Sequence, residues 1–512
     1  MVFVPCNASP IDRRGERLRV KLAAMRLYLI LALAVAACGG AGVSGTASPP
    51  SAQVFAAARW VPANPTYVVA ATSLREGQRA VRDLIDSFGM LGDLDSKAAS
   101  AGLAYLLGVD PLQPESVAGL GIDVDGGIAI FSEDLNPTFV AHLAAPEQLQ
   151  TFFDQQRQHG LVTSSVMLEG TEVFSTKLGD GIHVSWAVDN DWFWLHFTFL
   201  GASDETAWFA NSHRPGGNAW MQHWTWAQTF AAHARSVVGY FDLRGLLAKV
   251  AGRVPQVIAC AKLVQPIGGV ALAVDGDLQH ASARLAFDLG PSAKTVGANL
   301  LLPPPGWGEL AVRAPISVQS NLDLQVVADW AAPCGDVLGI DLRSVKTTGV
   351  RTARALLKTY DPSDRSAGTG AVSLDVTSAA YFAKLNDKVD FPGRSFFDKH
   401  RKFGPYDGHR LSPPTFPTLD YVLGDRIVLL GVGEGLLDKV VTGAGPVSPP
   451  PIISIDVYPP GLSQAAWEDL FGLSQLGHPK LLAERLLGWR EGHIKLVIDG
   501  DALVLQADGN RR

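Results

Sequence analysis

Apolar positions in this chain recur with two periods. Residues 67–71 and 127–131 are short, nearly continuous apolar runs bounded by polar residues, and they read as buried strands. In residues 73–88, Leu74, Ala80, Val81, Leu84, Ile85 and Phe88 form a stripe at helical spacing. Thr72 and Ser73 stand before it as cap candidates, which predicts a helix. Residues 191–199 alternate: Phe193, Leu195, Phe197 and Phe199 fall on one face of a strand, Trp192, Trp194, His196 and Thr198 on the other. Residues 268–289 predict a hairpin turning at Asp275-Gly276, and residues 493–507 another at Asp499-Gly500. Hairpins interleaved with helices, without regular βαβ alternation, predict an α+β fold of mostly antiparallel sheet with helices packed on one face.

The pattern occurs twice. Leu107-Gly108-Val109-Asp110 has a counterpart in Leu338-Gly339-Ile340-Asp341. The helix start at 146–153 matches 377–382, and Asp191–Leu195 matches Asp425–Leu429. Residues 238–242 match 453–456, and Val274-Asp275-Gly276-Asp277 matches Ile498-Asp499-Gly500-Asp501. The order is kept and the offsets stay between 214 and 234, which predicts a tandem duplication. Superposing the copies then places Gly276 over Gly500 and Phe193 over Ile427. The proline-rich stretch 303–308 reads as the linker between copy 1, residues 54–302, and copy 2, residues 309–512.

Ahead of the body, residues 27–37 form an apolar run of 11 residues following Arg26, with further basic residues upstream. That is the length of a signal-peptide core and is too short to span a bilayer. It ends in Val35-Ala36-Ala37-Cys38, followed by Gly39-Gly40. This resembles the lipobox of bacterial lipoprotein precursors. The resemblance implies export, acylation of the Cys38 thiol, and cleavage that leaves Cys38 as the first mature residue. Gly39 after the cysteine resembles the sorting signal for the outer membrane, with the body facing the periplasm. Met1 and Met25 are both possible starts. Residues 39–53 are rich in glycine, serine, alanine and proline and read as a flexible tether. In layout, the body resembles uncharacterised bacterial exported proteins built of two α+β units, a resemblance that implies no activity.

Removing residues 1–37 lowers Lys+Arg from 43 to 37 and Asp+Glu from 50 to 48, a mature net charge of −11. An acidic body disfavours nucleic acid as a partner. Of four cysteines, Cys6 leaves with the leader and Cys38 takes the lipid. Cys260 and Cys334 remain, either bonded across the linker in an oxidising compartment or buried as separate thiols.

Motifs for nucleophilic, nucleotide or zinc chemistry are missing, and no metal or other cofactor is expected. Gly431-Val432-Gly433-Glu434-Gly435 reads as a tight strand-to-helix turn, since Leu436 stands where a dinucleotide fingerprint needs its third glycine. The Asp-Gly clusters at 123–126, 275–277 and 499–501 read as turns, without the further oxygen ligands of a calcium loop. His213, His223 and His233 are ten apart, which is not a zinc-ligand spacing. Tryptophan is the informative residue: seven of 12 lie between 186 and 226. Copy 2 carries Arg426, Val428 and Leu430 where Trp192, Trp194 and His196 are expected, so the fold does not itself require these rings. Copy 1 also has a longer connection after the strand, containing Trp220, His223 and Trp224. Either this segment covers the strand as a second small core, or Trp192, Trp194, His196, Trp220, His223 and Trp224 line an aromatic slot for a ligand or partner. The sequence thus predicts a non-enzymatic, membrane-anchored envelope protein with a binding or scaffolding role. Its partner is an envelope protein or an apolar ligand; the alternatives are an apolar-ligand carrier and a hydrolase without a recognisable motif.

Overall fold

The structure is a computed structural model. It describes residues 55–79, 112–132, 136–177, 183–198, 207–213, 236–251, 267–276, 279–290, 314–321, 350–364, 367–388, 393–414, 417–433, 435–441, 451–473 and 479–512, with a few single positions between. Cys38, the tether, Trp220, His223, Trp224, Cys260, Cys334 and the linker 303–308 lie outside the described residues. Among the described residues no helix is long and apolar enough to cross a membrane.

Among the described residues, copy 1 contributes ten strands: β1 (Tyr67–Ala71), β2 (Ile128–Ser132), β3 (Thr138–His142), β4 (Ser164–Leu168), β5 (Thr171–Lys177), β6 (His183–Asp189), β7 (Trp192–Thr198), β8 (Val237–Phe241), β9 (Val270–Gly276) and β10 (His280–Asp288). Copy 2 contributes ten more: β11 (Ile316–Ser320), β12 (Val350–Thr359), β13 (Thr369–Val376), β14 (Asp398–Phe403), β15 (Tyr406–Leu411), β16 (Leu419–Leu423), β17 (Ile427–Val432), β18 (Ile453–Val457), β19 (Trp489–Asp499) and β20 (Ala502–Arg511). All twenty belong to one open sheet, and every pairing is antiparallel.

In space copy 1 runs β4-β5-β6-β7-β3-β2-β1-β8-β9-β10. Copy 2 runs β14-β15-β16-β17-β13-β12-β11-β18-β19-β20. Strand for strand, these are the same order. The copies join through their last strands, β10 against β20, over nine residue pairs from His280↔Asn510 to Asp288↔Ala502. A pseudo-twofold relation therefore runs through the β10–β20 seam, with β4 and β14 at the two far edges among the described strands.

The pairings also fix the equivalences between copies. Leu143 N donates to Asp191 O in copy 1, and Val376 N donates to Arg426 O in copy 2. Trp192 therefore corresponds to Ile427, and Phe193 to Val428, one residue on from the sequence match. Both strands leave two-residue turns, Asn190-Asp191 and Asp425-Arg426, and the shared aspartate had drawn the sequence match to the wrong turn position. In a strand a one-residue slip exchanges the faces. The counterparts of Trp192, Trp194 and His196 are thus Ile427, Leu429 and Gly431, not Arg426, Val428 and Leu430. Gly276 is corrected too: it pairs with Ala281 inside the β9–β10 ladder and corresponds to Ile498 rather than Gly500. Asp275-Gly276 is strand, and the chain reverses after it. Gly500, with φ +58, is the turn residue of β19–β20, as its Asp-Gly signal predicts.

Helices pack on the sheet at matching places. On one face lie α1 (Pro114–Ala118) and α2 (Pro146–Gln158), the latter burying Leu149 against Phe193, Trp186 and Leu143. α3 (Ala207–Ser212) lies on the other, with Phe209 against Trp194. After β8 comes α4 (Leu243–Ala251). In copy 2, α5 (Ala380–Lys388) sets Phe382 against Val376 and Val428; the short α6 (Arg394–Phe397) precedes β14; and α7 (Leu436–Val441) sets Leu437 against Leu429, Val422 and Phe403. α8 (Gln464–Leu473) and α9 (Pro479–Leu487) pack on each other through Trp467 and Ala483. The helix expected over 73–88 is seen at 74–79, where the Ser73 hydroxyl caps it by accepting from Glu76 N at 3.2 Å. Gly433 (φ +110) and Gly435 (φ +69) make the turn from β17 into α7, and a Cβ on Gly431 would stand 2.8 Å from Leu437 Cβ. These glycines serve a close strand-to-helix approach, the turn the sequence predicts.

Candidate functional site

The tryptophan face of β7 is a packed interior. Trp194 is fully buried, and Trp192 and His196 are 5% and 6% exposed. α3 supplies part of the cover, through Trp208 and Phe209, and His213 follows directly after it. Among the described residues, further cover comes from the 3-10 turn Ala56–Trp60, which precedes β1. Trp60 packs edge-on against Trp192 and Trp194, with ring centroids 6.0 and 5.1 Å apart. The Arg59 guanidinium lies 4.8 Å from the ring centroids of both Trp60 and Trp192. Trp208 stacks on His196 at 5.0 Å, and the His196 ring takes a 2.8 Å hydrogen bond with the Thr138 hydroxyl through Nδ1. Nothing in the chain around β7 announces Trp60 as a partner, since the contact spans more than 130 positions. The buried indole N–H groups of Trp60 and Trp194 find no acceptor among the described residues. Each costs about 1–3 kcal/mol of desolvation, which the ring packing offsets.

His213 ties this interior to two hairpin turns. Its Nε2 lies 2.9 Å from Asp189 Oδ2, at the end of β6, and its Nδ1 3.8 Å from Glu169 Oε2, in the turn after β4. The ring itself stacks on Phe209 at 4.8 Å. Among the described residues four further His–Asp contacts stand elsewhere: His142–Asp123 at 3.0 Å, His409–Asp398 at 2.9 Å, His493–Asp456 at 2.7 Å and the longer His400–Asp407 at 3.7 Å. A hydrolase would need a nucleophile on the ring side of such a pair. Ser317, the hydroxyl beside Asp456, donates instead to the carboxylate, at 3.3 Å. Among the described residues no three His, Cys, Asp or Glu side chains come together to hold a metal ion.

What sequence reasoning missed lies beside the aromatic interior, at the rim of the sheet. β4 reads Ser-Ser-Val-Met-Leu. It pairs with β5 on one side, and among the described residues no strand pairs with its other side. Val166 is 41% exposed and Met167 62%, and Val162 just before the strand is 84% exposed. Only Leu168 turns inward, against the aromatic interior. The opposite rim, β14, reads Asp-Lys-His-Arg-Lys-Phe. Leu168↔Thr171 and Phe403↔Tyr406 close the two equivalent hairpins, so counting back along each strand sets Ser164, Ser165, Val166 and Met167 against Lys399, His400, Arg401 and Lys402.

No protein-family model matches the chain, and no curated protein matches it. Solved structures of TP0453 are similar at a low level. Crystal form III is 10% identical, covers 47% of this chain and 85% of that one, and gives a TM-score of 0.25. Crystal form I is 9% identical, covers 45% and 78%, and also gives 0.25. A TM-score this low is no basis for transferring an activity.

Proposed function

We propose that this chain is an exported lipoprotein, acylated at Cys38 and held to a bacterial membrane by a short tether, probing the periplasm with a non-enzymatic binding scaffold. The observation that carries the scaffold reading is the single antiparallel sheet of two copies with one rim, β4, left uncharged and exposed. An unpaired strand presents a row of backbone donors and acceptors, and natural proteins ordinarily guard it with charge, proline or a cover. An unguarded, uncharged rim is a site for strand addition by a partner. The anchor reading rests on the sequence alone, on residues 27–38. Replacing Cys38 with Ser is the direct test. The mutant is expected in the soluble fraction or unprocessed; membrane fractionation like wild type defeats the anchor. For the scaffold, wild-type protein extracted from membranes is expected to migrate on native gels as a complex larger than one chain. The Val166→Lys variant is expected to migrate as a single chain.

A second reading, carriage of an apolar ligand, is favoured by one row of aliphatic side chains. Val318, Ile455 and Ile494 stand directly opposite one another on adjacent strands, and Val318 and Ile494 are 36% and 38% exposed. Ile130, 38% exposed, lies on the same face in copy 1. Organic extraction of the purified protein followed by mass spectrometry checks this: a stoichiometric apolar compound favours the carrier.

A further inference from the structure

We infer that the occupant of the β4 rim is the β4 strand of a second copy of this chain, added antiparallel about a twofold axis through Val166. The inference deepens the scaffold reading and rests on it. Three features of the strand select this partner.

First, β4 is complementary to itself. Only a register centred on its middle residue uses all five positions: Val166 then faces Val166 of the second copy, Ser165 faces Met167, and Ser164 faces Leu168. Any shift toward the C-terminus runs into Glu169 and Gly170, whose φ values of +51 and +86 belong to the turn and cannot continue a ladder. In the centred register the one nearby charge, Glu169, falls opposite Thr163 of the second copy rather than opposite another carboxylate.

Second, charge selects this rim over the other. A β14–β14 pair would bring Lys399, Arg401 and Lys402 of one chain against the same cations of the next, and like charges across a strand pair are unfavourable. β4 brings no charge to its own ladder.

Third, the molecule already joins units this way. The two copies within one chain meet strand to strand at β10–β20, again about a local twofold. The β4 pairing would repeat that device at the outer rim and make one continuous sheet of two chains. A shared lipid anchor would favour it by confining both chains to one membrane surface, which raises their effective concentration.

The test uses full-length protein in its membrane, with the native cysteines kept and linkage counted as the gain over wild type. Val166→Cys, Ser165→Cys and Met167→Cys are each treated with a mild thiol oxidant. Directly opposed Cβ atoms in an antiparallel pair stand about 4.5–5.5 Å apart, near disulfide reach, whereas a position one step off the axis faces a different residue and lies about 7–8 Å from its own counterpart in the second copy. Val166→Cys is expected to give a dimer of the chain at about tenfold the yield of either single neighbour, while the double variant Ser165→Cys/Met167→Cys regains it. Met167→Lys, at the most exposed position of the strand, is expected to abolish linkage through Val166→Cys while keeping the thermal midpoint. Equal yields at all three single positions overturn the register and with it the proposal. Linkage to a different protein overturns the second copy as occupant while leaving the scaffold reading standing. A single chain on native gels overturns both.

Discussion

At one rim of the sheet, Ser164, Ser165, Val166 and Met167 occupy the positions that Lys399, His400, Arg401 and Lys402 occupy at the other. The strand order behind the two rims is identical, so backbone architecture does not account for the difference. The interiors behind them differ in the same sense. Copy 1 fills its end with Trp60, Trp192, Trp194, Trp208 and Phe209. Copy 2 has Ile427, Leu429 and Gly431 at the positions of Trp192, Trp194 and His196, and where copy 1 pairs Ser175 with Ser185 it pairs Arg410 with Asp420. Asp420 is fully buried and receives both Arg410 Nε, at 2.7 Å, and Arg410 Nη2, at 2.9 Å. Arg401 of the β14 rim also donates to Asp438 of α7, at 2.8 Å. Copy 2 thus spends charge on closing its end, and copy 1 closes its interior with rings while leaving its rim bare. One duplicated fold has been given a guarded end and an open one.

The largest expected effect is on the aromatic end. Trp194→Ala removes a fully buried ring and should lower stability by about 3–5 kcal/mol in urea titration. If the loss is under about 1 kcal/mol, the rings are not the interior that holds the β4 end in place.

Next comes the charged end. Asp420→Asn leaves Arg410 buried without its carboxylate, which should cost about 3 kcal/mol, the low end for a broken buried pair because Arg410 keeps 16% exposure. Ser185→Ala, at the equivalent site of copy 1, should cost less, since no charge is stranded. Equal losses at the two sites would remove the contrast between the interiors.

The copies should also differ in their response to pH. The hydrogen bond to Asp456 holds the His493 pKa above its ordinary value, against the pull of burial, with Asp508, Asp456 and Glu491 adding to it. Burial pulls Asp456 upward, but the hydrogen bond and charge of His493, with Lys495 and Ser317, leave it lowered. The His493 contribution is therefore complete below about pH 6.5 and is lost as pH rises through the raised value; the Asp456 contribution is complete above about pH 4 and is lost in acid. In copy 1 the same two positions are Ala271 and Tyr240. Burial, then Asp242 and Asp288, push the Tyr240 hydroxyl up to about 12, so its contribution is lost only above about pH 10. Thermal midpoints should fall between pH 6.5 and pH 9 in wild type and stay flat over that range in His493→Asn. A fall of the same size in His493→Asn would put the titrating group elsewhere.

Much of the architecture is legible in the sequence, because hairpin periodicity and the order of the matched segments from residue 146 onward are local signals; the match of Leu107–Asp110 to Leu338–Asp341 falls, apart from Asp110, outside the described residues. β1 lies at 67–71 as read, and the strands of both predicted hairpins are present. Registers were less legible. The shared aspartates at 191 and 425 sit at different positions of their turns, and only the pairing of β7 with β3 and of β17 with β13 reveals the shift. The burial of Trp192 and Trp194 depended on Trp60, a contact made by folding the segment before β1 across β7, which no spacing encodes. The β4 rim was invisible for a related reason. A run of Ser-Ser-Val-Met-Leu is unremarkable until its neighbours in the sheet are known, and only then does the lack of charge acquire meaning.

The smallest expected effect on folding is at the rim itself. Val166→Lys and Met167→Lys should each change stability by no more than about 0.5 kcal/mol, since both positions face solvent. Their effect should fall on association instead. The most direct measurement of the contrast is oxidative linkage of single cysteines at equivalent positions of the two rims, Val166→Cys and Arg401→Cys, in full-length protein in its membrane. The open-rim account predicts a disulfide-linked dimer of the chain from Val166→Cys and only background linkage from Arg401→Cys. Equal linkage from both, or more from Arg401→Cys, would contradict it.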